Sequence, residues 1–256
     1  MAAVTKSPYK TRMLDSWNYR PWAADSLIEV GTLSAAEPIA LACHVHPDVQ
    51  ISAIRRGWRI YATSFGEFRA TAGDVVIIPA GVPHSSHGGE GSVVTHLYVP
   101  NTRDAVRRIA RPRHLRHSRA VSPEDLLDAV GAADLSDEVP FAKTLDLAKL
   151  VLCNDLEIGV VAERSGYSRD GFIRAFKRQI GVTPGAYRLA IRVAASRMRL
   201  KRGDPVADVA YAEAFADQSH FGRHFRRAYG VTPAAYRSAF AVERSISFQT
   251  RRRGGA

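Results

Sequence analysis

One pattern in the second half of the chain occurs twice, and it constrains the fold more than any other feature. Each copy alternates Phe and Arg and ends in Gly-Val-Thr-Pro; the copies are Phe172-x-Arg174-x-Phe176-x-Arg178 with Gly181-Val182-Thr183-Pro184, and Phe221-x-Arg223-x-Phe225-x-Arg227 with Gly230-Val231-Thr232-Pro233. They are offset by 49 residues, from Gly181 to Gly230. A short, duplicated, arginine-rich unit indicates a surface for a polymer that has its own repeat, because one copy would suffice for one small ligand. Double-stranded DNA is such a polymer.

Charge is distributed unevenly along the chain. The net charge is +11, yet residues 1–140 contain 15 Lys/Arg and 15 Asp/Glu, whereas residues 141–256 contain 21 and 10. The positive excess lies in the half that contains the repeat, as expected for a surface that binds phosphate. Ribosomal contacts or an anionic membrane surface would also require such a charge.

The sequence favours a cytoplasmic protein that does not bind membranes. It contains no uncharged apolar run of about 18 residues, the length that a membrane-spanning helix requires. The segment Met1–Arg12 has no apolar core of the kind found in a secretory signal.

The first 100 residues have the pattern of a β-domain. Short apolar segments at Asp25–Leu33, Gln50–Arg55, Trp58–Phe65 and Asp74–Ile78 are separated by glycine and proline. Such spacing is typical of short strands joined by turns. We expect an antiparallel barrel or sandwich over residues 1–100.

Helical patterns replace strand patterns after Asn101. In residues 101–140 we expect a linker with two helices, Thr102–Ile109 and Ser122–Val130, whose apolar spacing makes them candidate dimer contacts. Ser122 suits the N-cap of the second helix and Pro123 its first position. Residues 141–240 are expected to be all-helical and residues 241–256 to form a basic tail. The fold class is therefore α+β.

The repeat predicts two helix-turn-helix units joined by a long helix. Ser168 and Asp217 are placed to cap the two reading helices, and the phenylalanines four residues apart would form their buried faces. The alanine- and arginine-rich segment Pro184–Arg202 favours one continuous helix. At about 1.5 Å per residue it would span roughly 27 Å. Since one turn of DNA is about 34 Å, such a helix could hold two reading heads on one side of the duplex.

Outward-facing residues of the two reading helices are candidate DNA contacts. Candidate base contacts are Arg169, Asp170, Ile173 and Arg174 in the first helix and Gln218, Ser219 and Arg223 in the second. Arg174 and Arg223 occupy matching positions and lead the set, since arginine makes bidentate contacts with guanine. Candidate phosphate contacts, one turn later, are Lys177, Arg178, Arg226 and Arg227. The alternative is that all these arginines contact only phosphate or form solvated ion pairs.

A longer pattern surrounds the second copy. It runs Val209-Ala210, then Phe215-x-Asp217-Gln218-Ser219-x-Phe221-x-Arg223-x-Phe225-Arg226-Arg227, and closes with Gly230-Val231-Thr232-Pro233-x-x-Tyr236-Arg237. This pattern resembles the AraC/XylS family of bacterial transcription regulators, and the resemblance covers about residues 143–240. It implies a regulator that binds double-stranded DNA, responds to a small-molecule effector, recruits RNA polymerase and forms a homodimer. Ala214 stands where the family usually has glycine, and a left-handed conformation there would strain an alanine.

Histidines mark the N-terminal half. His44-x-His46 is followed by Gln50, and a second block, Pro79-x-Gly81-x-x-His84, supplies a third histidine. The two blocks resemble those of cupin barrels, which also occur in effector domains of AraC-type regulators and can bind a divalent metal through such histidines. Gln50 stands where the cupin pattern has glutamate, and a neutral amide binds metals poorly. We expect a cupin-like barrel without metal, with His44, His46, Gln50 and His84 as effector-pocket candidates. A divalent cation at the three histidines is the alternative.

Three functions remain open at this point. We expect an effector-responsive transcription regulator rather than an enzyme, because no Ser/His/Asp arrangement, phosphate-binding glycine loop or dinucleotide motif is present. One alternative is a metal-dependent cupin enzyme with an appended DNA-binding domain. The other is an architectural protein that binds DNA irrespective of its sequence.

Overall fold

The chain forms a β-domain followed by a helical domain. A computed structural model describes residues 16–104, 106, 109–116, 118, 122–132, 148, 150–151 and 156–241. The strands are β1 (Ser16–Trp22), β2 (Asp25–Ser34), β3 (Ile39–His44), β4 (Val49–Arg56), β5 (Trp58–Thr63), β6 (Gly66–Thr71), β7 (Val75–Ile78), β8 (His84–Gly88), β9 (Val93–Val99) and β10 (Arg113–Leu115). The helices are α1 (Pro123–Ala132), α2 (Ile158–Arg164), α3 (Arg169–Ile180), α4 (Pro184–Arg202), α5 (Val206–Ala212), α6 (Gln218–Tyr229) and α7 (Pro233–Ala239). The predicted basic tail lies outside the described residues beyond residue 241.

Two antiparallel sheets build the β-domain. Their strand orders are β1-β2-β9-β4-β7-β10 and β3-β8-β5-β6. Side chains from both sheets meet in a shared core that includes Leu33, Ile54, Tyr61 and Val76. Across the described residues no strand pairs from one sheet to the other, so the cupin-like domain is a sandwich and not a closed barrel. The four predicted strand segments overlap β2, β4, β5 and β7. Strand β1, which precedes Asp25, and strand β10, which lies in the predicted helical linker, were missed.

The segment after β9 packs on the opposite face of the six-stranded sheet. The described residues of the predicted helix Thr102–Ile109 form consecutive turns instead, with i to i+3 bonds such as Val106 N–H to the Arg103 carbonyl at 3.1 Å. In α1, Asp125 N–H donates to Ser122 Oγ and Ser122 N–H to Asp125 Oδ2, which confirms the predicted cap. The apolar residues of both segments are buried against the sheet; they are Val106, Ile109, Leu126 and Val130. The apolar spacing that suggested dimer contacts therefore reflects packing within the chain.

The helical domain has the predicted duplication, with α4 as one continuous helix between the two units. Ser168 Oγ accepts from Gly171 N–H at 3.2 Å and Asp217 Oδ1 from His220 N–H at 2.6 Å, so both predicted N-caps are confirmed. No helix in the described part of the chain is both long and apolar enough to cross a membrane.

Each Gly-Val-Thr-Pro step ends one helix and begins the next. Gly181 and Gly230 are the left-handed C-caps, with φ of 91° and 77°. Two residues later Thr183 and Thr232 cap the following helix through their hydroxyls, and proline fills its first position. The same chemistry therefore sets the angle between helices in both copies.

The two units differ at the turn inside each helix-turn-helix. Ala214 is the sole described non-glycine residue with positive φ, 54°, and Gly166 has φ of 74° at the matching position. The offset between these two is 48 rather than 49 residues, so the second turn contains one more residue before its cap. Ala214 thus adopts the left-handed conformation that the sequence flagged as costly for alanine.

Ala214→Gly is expected to stabilise the protein by about 1 kcal/mol. A left-handed conformation costs an L-residue about 1–2 kcal/mol, and glycine removes this strain. The greater conformational entropy of glycine in the unfolded chain offsets part of the stabilisation. Urea unfolding measures the difference. The control is Ala212→Gly, at an exposed helical position in α5, which should destabilise by about 0.5–1 kcal/mol. Equal losses for both variants would contradict the assigned strain.

Candidate nucleic-acid interface and sensor pocket

The reading helices α3 and α6 bury one face and expose the other. Phe172, Phe176, Phe221 and Phe225 are fully buried, which confirms them as core residues. Every candidate base contact is exposed except Ile173, which is half-buried; the exposed ones are Arg169, Asp170, Arg174, Gln218, Ser219 and Arg223. The separation of faces follows from the four-residue spacing of the phenylalanines.

The candidate phosphate contacts also point to solvent. Lys177, Arg178, Arg226 and Arg227 are all exposed. Within the described residues, neither these four nor the base-contact arginines form an ion pair. The alternative that they serve intramolecular salt bridges therefore finds no support there, and their charge is available to an external anion.

Part of the α6 surface lies beside the β-domain. An open groove of about 720 Å³ has Arg223, Arg226 and Arg227 on one wall and residues of β1 and β3, including Trp17 and Leu41, on the other. The β-domain therefore sits next to the second reading helix in this arrangement of the chain.

The predicted pocket residues converge inside the β-domain. His44 ends β3, His46 follows it, Gln50 lies on β4 and His84 begins β8. All four side chains are buried. One ring nitrogen from each of His44, His46 and His84 lies within 4.8 Å of the other two. The cluster that the sequence predicted is therefore present, at the end of the sandwich that faces α4.

Hydrogen bonds hold the rings of His44 and His84 in place. His44 Nδ1 lies 2.7 Å from the Ala42 carbonyl, so this Nδ1 carries the proton. His84 lies between two acceptors, the Val82 carbonyl at 3.0 Å from Nδ1 and the Gln50 oxygen at 3.1 Å from Nε2, and its neutral ring donates to one of them. Burial lowers the pKa of His84 to about 4 and the pKa of His44 well below its usual range. Both rings are therefore neutral at physiological pH, and the lone pair of the His44 ring lies on Nε2.

The Gln50 amide is used within the protein. Its nitrogen donates to Ser52 Oγ at 2.8 Å and lies 3.3 Å from His96 Nδ1, while its oxygen lies 3.1 Å from His84 Nε2. These contacts hold Gln50 in a polar row along the inner face of the six-stranded sheet.

An arginine from the helical domain fills the pocket beside the histidines. Arg197 of α4 is 2% exposed. Its Nη1 donates to His46 Nδ1 and its Nη2 to Glu29 Oε1, both at 2.6 Å. Its Cζ lies 4.5 Å and 4.7 Å from the ring centroids of Tyr98 and Tyr229. One guanidinium therefore joins the two domains.

Glu29 is the anion of this cluster and is 1% exposed. Besides Arg197, it accepts from the Tyr236 hydroxyl at 2.8 Å and pairs with Lys201 at 2.5 Å. Burial acts to raise the pKa of Glu29, but Arg197 and Lys201 outweigh burial and hold the pKa below its ordinary value. The carboxylate is therefore ionised and paired.

Sequence reasoning missed both members of this ion pair. Arg197 shares a helix face with the buried Val193, Ala194 and Leu200, three or four residues away. A basic residue on an apolar face was thus a usable signal. Glu29 gave no comparable signal, because alternation along β2 does not distinguish the inside of the sandwich from the outside.

The three histidines fit a metal ion poorly in this arrangement. Because His46 Nδ1 accepts from Arg197, the proton of the neutral ring lies on Nε2, and neither nitrogen offers a lone pair to a cation shared with His44 and His84. The guanidinium beside them would also repel a cation. We therefore assign no reaction step to a metal.

Two family models match the chain. One, described as a helix-turn-helix domain, matches residues 161–239, and the other, described as an AraC-like ligand binding domain, matches residues 39–139. An uncharacterized HTH-type transcriptional regulator of Bacillus subtilis (strain 168), YbfI, is 29% identical over 128 residues, which are 49% of this chain and 45% of the relative. The chain therefore matches less than half the length of that curated relative.

Solved structures with a similar fold include ToxT from Vibrio cholerae O395. It superposes with a TM-score of 0.57 at 12% identity, covering 85% of this chain and 99% of ToxT. The unsaturated fatty acid bound ToxT of strain SCE256 gives a TM-score of 0.54 at 16% identity, covering 90% and 98%. At such identities the likeness concerns the fold: a sandwich domain followed by two helix-turn-helix units.

Acid is expected to destabilise the protein through its buried histidines. The unfolded chain binds a proton at His84 near pH 6.5, whereas the folded protein keeps that ring neutral down to about pH 4. The contribution of neutral His84 to the free energy of unfolding is therefore fully present above pH 6.5, and it is lost as the pH falls from there towards 4. His84 alone should remove about 2 kcal/mol of unfolding free energy between pH 7 and pH 5.

Urea unfolding across this pH range measures the loss. His84→Gln should flatten the pH dependence by that amount, while His87→Gln, at an exposed position on the same strand, should leave it unchanged. A pH dependence that is identical in wild type and His84→Gln would refute the assignment.

Proposed function

This chain belongs to the AraC/XylS family of bacterial transcription regulators, and we propose that it binds specific DNA sequences through α3 and α6. The observation that carries the proposal is the matched pair of exposed arginines, Arg174 and Arg223, on helices that each have a side-chain N-cap and a pair of buried phenylalanines at matching positions. A non-specific DNA binder needs positive charge, but it does not need two helices that present defined faces at a fixed separation.

The two units are inferred to read different base pairs. At matching positions the first helix presents Arg169, Asp170 and Ile173, and the second presents Gln218, Ser219 and Gly222. Helix α4 has 19 residues and therefore spans roughly 27 Å from its first to its last residue at about 1.5 Å per residue. This length supports the two units entering successive major-groove segments on one side of the duplex.

A small-molecule effector acting through the sandwich domain is the second part of the proposal. It rests on the match to a ligand binding domain and on buried polar groups of the sandwich beside the helical domain, among them His44, His46 and Glu29. We further propose, from the family resemblance, that the protein recruits RNA polymerase, activates transcription and acts in the cytoplasm. A homodimer is also part of the proposal, but Val106, Ile109, Leu126 and Val130 do not support it, because they pack inside the chain.

The two kinds of arginine should respond differently to substitution. We expect Arg174→Ala and Arg223→Ala each to relax preference at particular base pairs, at about 1–3 kcal/mol per contact. Arg178→Ala and Arg227→Ala should weaken binding to all sequences alike. Each should also reduce the slope of log affinity against log salt concentration by about one.

Selection from a random DNA library, followed by affinity measurements at fixed salt, tests this division. Arg69→Ala is the control, since it removes the same charge from an exposed position on β6 and should change neither property. A uniform loss for all four substitutions would show that α3 and α6 do not read bases. Wild-type affinity that is equal for every sequence would favour an architectural protein.

A further inference from the structure

We propose that the sensor pocket is a guanidinium site, that Arg197 is its intramolecular occupant, and that the effector is a small cation bearing a guanidinium or amidinium group. The inference deepens the proposed function, on which it rests, by naming the chemical class of the effector. An effector of this class would compete with Arg197 and release the helical domain from the sandwich.

The sandwich contributes three groups that bind the guanidinium. They are the Glu29 carboxylate, His46 Nδ1 and the ring face of Tyr98. All three side chains are buried, and all three belong to the sandwich domain rather than to α4. Tyr229, Tyr236 and Lys201, in contrast, belong to the helical domain and leave with Arg197.

The geometry selects a planar cation with two donors. Two terminal nitrogens of one guanidinium each reach an acceptor at 2.6 Å, the first at His46 and the second at Glu29. The Tyr98 ring lies against the same guanidinium at 4.5 Å. An ammonium is a point charge that lacks this planar fork. A metal ion would need lone pairs from His44, His46 and His84 together, and the His46 tautomer withholds one.

Charge balance gives a reason for an external ligand to take the place of Arg197. Arg197 and Lys201 are the two cations paired with Glu29, and both lie on α4. If α4 withdraws, the carboxylate loses both of its cationic partners at once and has only solvent in their place. A guanidinium ligand supplies the missing charge and therefore stabilises the separated arrangement selectively.

Release of α4 also affects the DNA-binding surface. The groove between the β-domain and α6 contains Arg223, Arg226 and Arg227 on its helical wall. Moving the sandwich away from α4 removes the opposite wall, because Arg197 and this groove belong to the same domain contact. The ligand is therefore expected to make the second reading helix more accessible.

The experiment compares agmatine, which is 4-aminobutylguanidine, with 4-aminobutylurea, which keeps the ammonium group and replaces the guanidinium by a neutral urea, in the absence of DNA. Isothermal titration gives affinities, and small-angle scattering gives the radius of gyration. Wild type should bind agmatine, and its radius of gyration should rise with saturation. Arg197→Ala should bind agmatine roughly tenfold tighter or more, because the tethered competitor is gone. The urea should not bind either protein.

Three variants complete the design. Arg197→Met keeps the apolar stem of the side chain and replaces Arg197→Ala if that variant does not fold. Arg197→Ala combined with Glu29→Gln should lose agmatine binding. Arg199→Ala, on the same helix but paired with Glu213 outside the pocket, should bind agmatine as wild type does.

Agmatine could bind Arg197→Ala while the radius of gyration of wild type stays unchanged. That outcome would mean that agmatine only fills the cavity made by the substitution, and it would overturn the proposal. Equal affinity for agmatine and the urea, or unchanged affinity with Glu29→Gln, would overturn it as well. None of these outcomes bears on base readout by Arg174 and Arg223, which the DNA selection tests separately.

Discussion

The ion pair between Glu29 and Arg197 is the contact on which the arrangement of the two domains depends. It joins β2 to α4 across 168 residues and is almost fully buried on both sides. Buried pairs often add little net stability, because desolvation offsets their attraction, but removing one partner typically costs about 3–5 kcal/mol. Such a contact tolerates few alternative geometries. It fixes which face of α4 meets the sandwich, and α4 in turn fixes both reading units.

The helical domain, in contrast, depends on short-range capping signals that occur in both copies of the repeat. A serine or aspartate begins each reading helix, a glycine ends it, and a Thr-Pro step begins the next helix. These signals operate within a few residues and do not depend on the other domain. The duplication therefore preserves a scaffold while leaving the exposed positions of α3 and α6 free to differ.

The features that sequence reasoning predicted correctly share this local origin. The caps at Ser122, Ser168 and Asp217 and the long helix α4 follow from neighbouring residues, and the histidine cluster follows from a family pattern. The described residues of the segment Thr102–Ile109 form turns instead of the expected helix, and these turns place Val106 and Ile109 against the sheet. Helical and turn spacing are hard to distinguish over so short a segment.

What the sequence did not predict is long-range. The pairing of Glu29 with Arg197 is a property of the folded chain, and so is the proton position on His46 that follows from it. The DNA contacts proposed at α3 and α6 stay predictions, since exposure and charge are necessary for base reading but do not identify a base.

The position of strand β3 at the edge of its sheet bears on self-association. Strand β3 is an edge strand of the four-stranded sheet, and α4 and α6 pack against it. An uncovered edge presents unpaired backbone groups that can template pairing with another chain. The contact between domains thus also shields the protein from self-association, and any state in which the helices leave β3 exchanges that protection for a strand able to pair with a second copy.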